Sequence, residues 1–117
     1  MPLRDWRVRV QDILEAVSSI RSYTSGMTFE QFAGDRKTID AVIRNLEVMG
    51  DASRRLPAHV KNDHPRIPWS EMGSLRIILG CEYLGVDLTI LWTTVQNELA
   101  PLEEPLRAVL AVPELTT

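Results

Sequence analysis

The chain has 117 residues, a formal net charge of −3, 44% hydrophobic and 25% charged residues, and one cysteine. That length holds a single domain with a real core and leaves no room for a second, while a single cysteine, far in sequence from the two histidines, excludes an internal disulfide and a zinc-ligand spacing. No apolar run approaches the roughly 20 residues that span a bilayer, and Arg4, Asp5, Arg7 and Arg9 stand where a signal peptide needs an apolar stretch, so a protein of the reducing cytoplasm is expected.

In chain order, Trp6, Val10, Ile13, Val17 and Ile20 step by four, three, four and three. This is the seam of a first helix, with Arg7, Asp12, Glu15 and Arg21 on its outer face and Gly26 at its end. Thr28-Phe29-Glu30-Gln31 offers a capping box for a short helical turn carrying Phe29 and Phe32. Asp35 is placed to cap a second long helix that turns Ile39, Val42, Ile43, Leu46, Met49 and Leu56 inward and Asp40, Arg44, Asn45, Glu47 and Asp51 outward. Residues 57–68 contain three prolines and both histidines, His59 and His64, and read as a loop with one helical turn; five apart on no defined helix, these histidines are loop residues rather than metal ligands.

Pro68 suits the first turn of a third helix, with Trp69 directed back to the core and Met72, Leu75, Leu79 and Val86 as its seam. Gly73 and Gly80 expose backbone on this helix and suit close approach by a neighbour. On it Arg76 and Tyr83, seven apart, share a face from which Cys81 falls away. Asp87 is placed to cap a last helix with Leu88, Leu91, Val95, Leu99, Leu102, Leu106 and Val109 inward. Because that seam stays in register past Pro101, one helix kinked at the proline is expected, with 113–117 as a frayed tail. The outcome is an all-α fold over 1–117, an up-and-down antiparallel four-helix bundle. Its wide seams, with Trp69 and Trp92 on them, point to a homodimer.

Charge is uneven: residues 34–76 carry a net +2 and residues 82–117 a net −5. This permits an RNA-contacting patch without the basic excess of a protein that binds nucleic acid by charge alone.

Several segments carry a specific resemblance. Asp40-Ala41-Val42-Ile43-Arg44-Asn45-Leu46-Glu47, Ile67-Pro68-Trp69, Leu75-Arg76, Glu82-Tyr83-Leu84-Gly85-Val86-Asp87, Leu91-Trp92 and Val95-Gln96-Asn97 together resemble the HepT-like branch of the HEPN superfamily, over nearly the whole chain. The resemblance implies a helical, usually dimeric toxin of a bacterial or archaeal toxin–antitoxin pair, partnered by a minimal nucleotidyltransferase, and a metal-independent ribonuclease without cofactor. The family motif is an arginine followed directly by a polar residue, with a histidine five positions after the arginine and a tyrosine two further on. Arg76 matches the arginine and Tyr83 the tyrosine, which in the family accepts AMP from the partner. Ile77 stands at the polar position and Cys81 at the histidine.

Those departures touch the chemistry directly. Metal-free RNA cleavage needs a group that moves protons between the ribose 2′-hydroxyl and the leaving 5′-oxygen, and a cation on the phosphorane charge. Guanidinium supplies the cation through bidentate contact with phosphate. A thiol, with an ordinary pKa of about 8.5, replaces imidazole poorly, and loss of a general acid–base costs on the order of 10²–10⁴-fold. By itself Cys81 reads first as a small buried hydrophobe between helices, and as a reactive thiol only if exposed beside Arg76, while Tyr83 reads as a core or interface phenol. Two further functions stay open: a non-catalytic dimeric helical module, and an RNA- or nucleotide-binding protein using Arg76 with Arg44 or Arg36 on phosphate.

Overall fold

The computed structural model describes residues 2–73 and 87–111, with side chains from Trp6 onward, and every regular element among them is helical. The elements are α1 (Pro2–Thr24), α2 (Phe29–Ala33), α3 (Arg36–Arg54), α4 (Ala58–Asp63), α5 over residues 69–73, α6 (Leu88–Asn97) and α7 (Ala100–Ala111). The rest of the span expected as a third helix, with Leu75, Leu79, Gly80 and Val86, and the tail expected at 113–117 lie outside the described residues.

Local chemistry sets the boundaries. α1 stops at Thr24, and Gly26 follows with φ +76°, a left-handed conformation that glycine adopts without a Cβ clash. The capping box forms as the sequence indicates: the Gln31 amide donates to Thr28 Oγ1 at 3.1 Å and the Thr28 amide to Gln31 Oε1 at 2.9 Å. Asp35 caps α3 by accepting from the Thr38 amide at 3.2 Å and the Thr38 hydroxyl at 2.9 Å. Those bonds, the backbone one foremost, hold its carboxyl below the usual carboxylate range. The single turn expected within 57–68 is α4, which buries Val60.

The buried side chains form one cluster running from Val10 of α1 to Val109 of α7. Val10, Ile13, Val17 and Ile20 are fully buried, as are Val42 and Met49 of α3, with Leu46 and Ile43 almost so. α1 packs chiefly on α3 and α7. Two contacts set α1 and α7 antiparallel: Arg7 Nη1, near the start of α1, donates to the Leu110 carbonyl at 2.9 Å, and Arg21, near its end, pairs with Glu103 at 2.6 Å. Arg7 is thus half-buried, with its guanidinium 4.8 Å from the Trp6 ring, where an outward position was expected. The carbonyl end of α7 draws the cation inward.

The last helix is not one kinked rod. α6 ends at Asn97 and α7 begins at Ala100, while the seam Leu91, Val95, Leu99, Leu102, Leu106 and Val109 stays buried across the break. Pro101 has no amide for the Asn97 carbonyl, and its ring would strike it. Interrupting the helix at Glu98–Leu99 moves the proline into a first turn, where no amide is needed, and the Leu102 amide restarts the ladder on the Leu99 carbonyl at 3.0 Å. A second proline, Pro105, lies inside α7.

Both tryptophans on the seams are covered by their own chain. Trp69 is buried, and half-buried Trp92 rests on Phe32, with ring centroids 5.0 Å apart, and on Phe29 at 6.4 Å.

Candidate functional site

Arg76, Ile77, Cys81 and Tyr83 lie outside the described residues, so the site is defined by the frame on either side of them. On the entry side, Ile67, Trp69 and Met72 are buried. Trp69 is held at both ends: its indole Nε1 donates to the His64 carbonyl at 3.0 Å, and its own carbonyl accepts from Ser53 Oγ at 2.9 Å. Ser53 is fully buried in the last turn of α3. The end of α3 and the start of α5 are therefore joined by a shielded hydrogen bond between a side chain and the backbone.

On the exit side, Asp87 caps α6, its Oδ1 accepting from the amides of Thr89 at 2.9 Å and Ile90 at 3.2 Å. Leu91 and Val95 then anchor α6 in the core. Both ends of the motif-bearing segment are thus fixed on the scaffold.

The contact between α3 and α5 brings up a residue that sequence reasoning missed. A Cβ built on Gly73 would sit 3.0 Å from Cγ and 3.7 Å from Cδ of Arg54, so the Arg54 stem lies across the bare backbone of Gly73. Arg54 is exposed, and among the described residues it forms no ion pair, unlike Arg21, Arg36 and Arg55, which pair with Glu103, Asp40 and Asp51. The signal in the sequence was Gly73 itself, expected as a place of close approach; the partner was not legible because it comes from another helix.

The other expected contacts lie further off. Arg44 is exposed in mid-α3, and Arg36 begins that helix, its Nε 3.1 Å from Asp40. At 1.5 Å rise per residue they stand about 15 Å and about 27 Å along the axis from Arg54. His59 is exposed on α4, and His64 contributes its backbone to the Trp69 anchor. Among the described residues, no cluster of His, Cys, Asp or Glu is arranged to hold a metal ion. Beside this frame opens a shallow cleft of about 670 Å³, rimmed by Lys61, Asn62, Arg66 and Ser70.

Comparison with known proteins decides the family. The ribonuclease HepT-like family matches residues 13–109, the greater part of the chain. The chain belongs to the HepT-like family. A probable ribonuclease HepT of Thermococcus cleftensis is 44% identical over 94 residues, covering 80% of this chain and 86% of that one. A candidate RNase of Methanocaldococcus jannaschii, MJ0127, is 43% identical over 98 residues, covering 84% of this chain and 81% of the relative. A candidate RNase of Caldanaerobacter subterraneus is 32% identical over 104 residues, covering 89% and 93%. No solved structure gives a significant match. The all-helical architecture accords with a HepT-like, HEPN-type chain, and no helix among the described residues is long and apolar enough to cross a membrane.

Proposed function

We infer that this HepT-like chain is the toxin-type member of a toxin–antitoxin pair, in which phosphate recognition is kept and the proton-transfer centre of the ribonuclease is degraded. The observation that carries this is the motif as it stands: Arg76 and Tyr83 at the family spacing, with Ile77 and Cys81 at the two positions between. Relatives named as ribonucleases support the RNA substrate class.

In this account Arg76 donates in bidentate fashion to phosphate oxygens of RNA. Attack of the ribose 2′-oxygen on phosphorus, with departure of the 5′-oxygen, needs a base and an acid in turn. The Cys81 thiol is a poor replacement for imidazole in either role, so cleavage is slow or absent. Arg44 and Arg36 are outlying contacts for a longer strand. The protein works as a cytoplasmic homodimer of single-domain subunits and binds a minimal nucleotidyltransferase. Tyr83 accepts AMP from that partner: its hydroxyl oxygen attacks the α-phosphorus of ATP and pyrophosphate leaves.

Incubation of the full chain with the cognate nucleotidyltransferase and ATP, followed by intact-mass measurement, tests the pairing. The expected result is a gain of one AMP that disappears in Tyr83→Phe. A parent protein whose mass stays unchanged, or a Tyr83→Phe variant modified equally well, overturns the role given to Tyr83.

A further inference from the structure

We propose that the uncharged outer face of α6 is where two copies of this chain pair, antiparallel about a two-fold axis that passes near Thr93. The proposal rests on the homodimer given above and names the surface that makes it.

α6 (Leu88–Asn97) contains no acidic or basic side chain, whereas α1, α3 and α7 each carry charges of both signs at exposed positions. Leu91 and Val95 anchor α6 in the core, and Thr89, Ile90, Thr93, Gln96 and Asn97 are exposed. At roughly 100° per residue these five fall within about 120° of arc, with Thr93 in the middle. They form one stripe rather than scattered positions. Ile90 is 65% exposed, more than Val8 or Tyr23, the other exposed large hydrophobic side chains, and those two stand among Arg7, Arg9 and Arg21 on α1. A surface helix ordinarily turns a charged face to water; α6 turns an isoleucine and neutral polar groups outward instead.

The chemistry of the stripe selects a second copy as its occupant. A two-fold contact lays one patch on itself, so every group in it must accept its own kind. Like charges fail that condition; threonine hydroxyls and the amides of Gln96 and Asn97 meet it, because each both donates and accepts hydrogen bonds. Around the stripe the chain is acidic, with a net charge of −5 over residues 82–117, so a copy approaching this end of the molecule is repelled elsewhere and admitted at α6. RNA finds no cation on this helix. Antiparallel alignment opposes the two helix dipoles favourably and turns Ile90 of each copy towards Asn97 of the other. At about 15 Å long and about 10 Å wide, α6 is smaller than the surface of about 800 Å² that each partner of a stable pair buries. The contact therefore extends past it, over the flank where the half-buried rings of Trp92 and Phe29 lie 6.4 Å apart.

Sedimentation equilibrium of the full chain over a concentration series tests this, with the parent, Thr93→Glu, Thr93→Lys, Ile90→Ser and, as a control at an exposed position of α1, Ser18→Glu. The parent is expected to dimerise. Thr93→Glu and Thr93→Lys each set a charge against its own copy and should weaken the dimer on the order of 100-fold or more. Ile90→Ser removes apolar contact and should weaken it on the order of ten-fold. Glutamate and lysine both favour helix over threonine, so the melting temperature of either variant should stay near that of the parent. Mixing the two Thr93 variants should restore a dimer, because opposite charges then face each other only at a position that meets its own copy. Ser18→Glu should pair like the parent. A parent dimer that survives Thr93→Glu and Ile90→Ser undiminished puts the contact on another face and leaves the homodimer standing without this surface. Equal weakening by Ser18→Glu means general repulsion, and a mixture of folded Thr93 variants that stays monomeric denies the two-fold near Thr93; either result overturns the proposal. If Thr93→Glu dimerises but no longer gains AMP from the nucleotidyltransferase, the face belongs to that partner instead. A monomeric parent overturns the homodimer and the surface together.

Discussion

Ser53 and Asp35 sit at opposite ends of α3, and each holds the chain through its side chain. Ser53 is fully buried and donates to the Trp69 carbonyl. Ser53→Ala removes one hydrogen bond from that carbonyl and should cost about 0.5–1.5 kcal/mol, read as a lower denaturation midpoint at unchanged m-value. Asp35 caps more strongly when ionised. Its native pKa is depressed by the Thr38 bonds, so its contribution is complete above the unfolded carboxylate value of about 3.9 and is lost as pH falls through the lower native value. Asp35→Ala should therefore melt below the parent at pH 7, and the gap should close in acid; a gap independent of pH would show that the charge has no part in the cap. At this scale Thr28, Asp35 and Asp87 were legible in the sequence because a cap bonds to amides two or three residues on. Ser53 was not, since its partner is 16 residues away, and Arg7 was misplaced for the same reason, its acceptor lying in α7.

Among elements, the informative junctions are those where two helices meet end to end or cross closely. The break between α6 and α7 keeps an unbroken apolar seam while the backbone ladder stops, so hydrophobic periodicity alone could not distinguish one kinked helix from two. The missing amide of Pro101 decided it. At the α3–α5 crossing, Gly73 lies under the Arg54 stem. Because the obstructing atoms belong to a flexible, exposed side chain, Gly73→Ala should let the stem move aside and should stabilise the protein by up to about 1 kcal/mol through helix propensity. Chemical denaturation checks this. A marked loss of stability would mean that the Arg54 stem is more firmly held than its exposure indicates.

For the molecule as a whole, the all-helical class was written in seams spaced at three and four residues, and the buried residues of α1, α3, α6 and α7 follow those seams closely. The site was legible in a different way. Residue pattern alone gave an arginine and a phenol on one face; only likeness to a known family turned them into a ribonuclease motif, and the HepT-like match over residues 13–109 supports that family. Arg54 could not be found by either route, because it is a helix-end arginine brought to Gly73 by tertiary packing. In the proposed function the phosphate-binding arginine is retained, and the residue that should move protons is a thiol. The most direct measurement is the rate of cleavage of a single-stranded RNA by the purified parent, by the double variant Ile77→Asn with Cys81→His, and by that double variant carrying Arg76→Ala. Negligible cleavage is expected of the parent, with a gain on the order of 10²-fold or more in the double variant and its loss when Arg76 is removed. A parent that cleaves as fast as the double variant would contradict the proposed function.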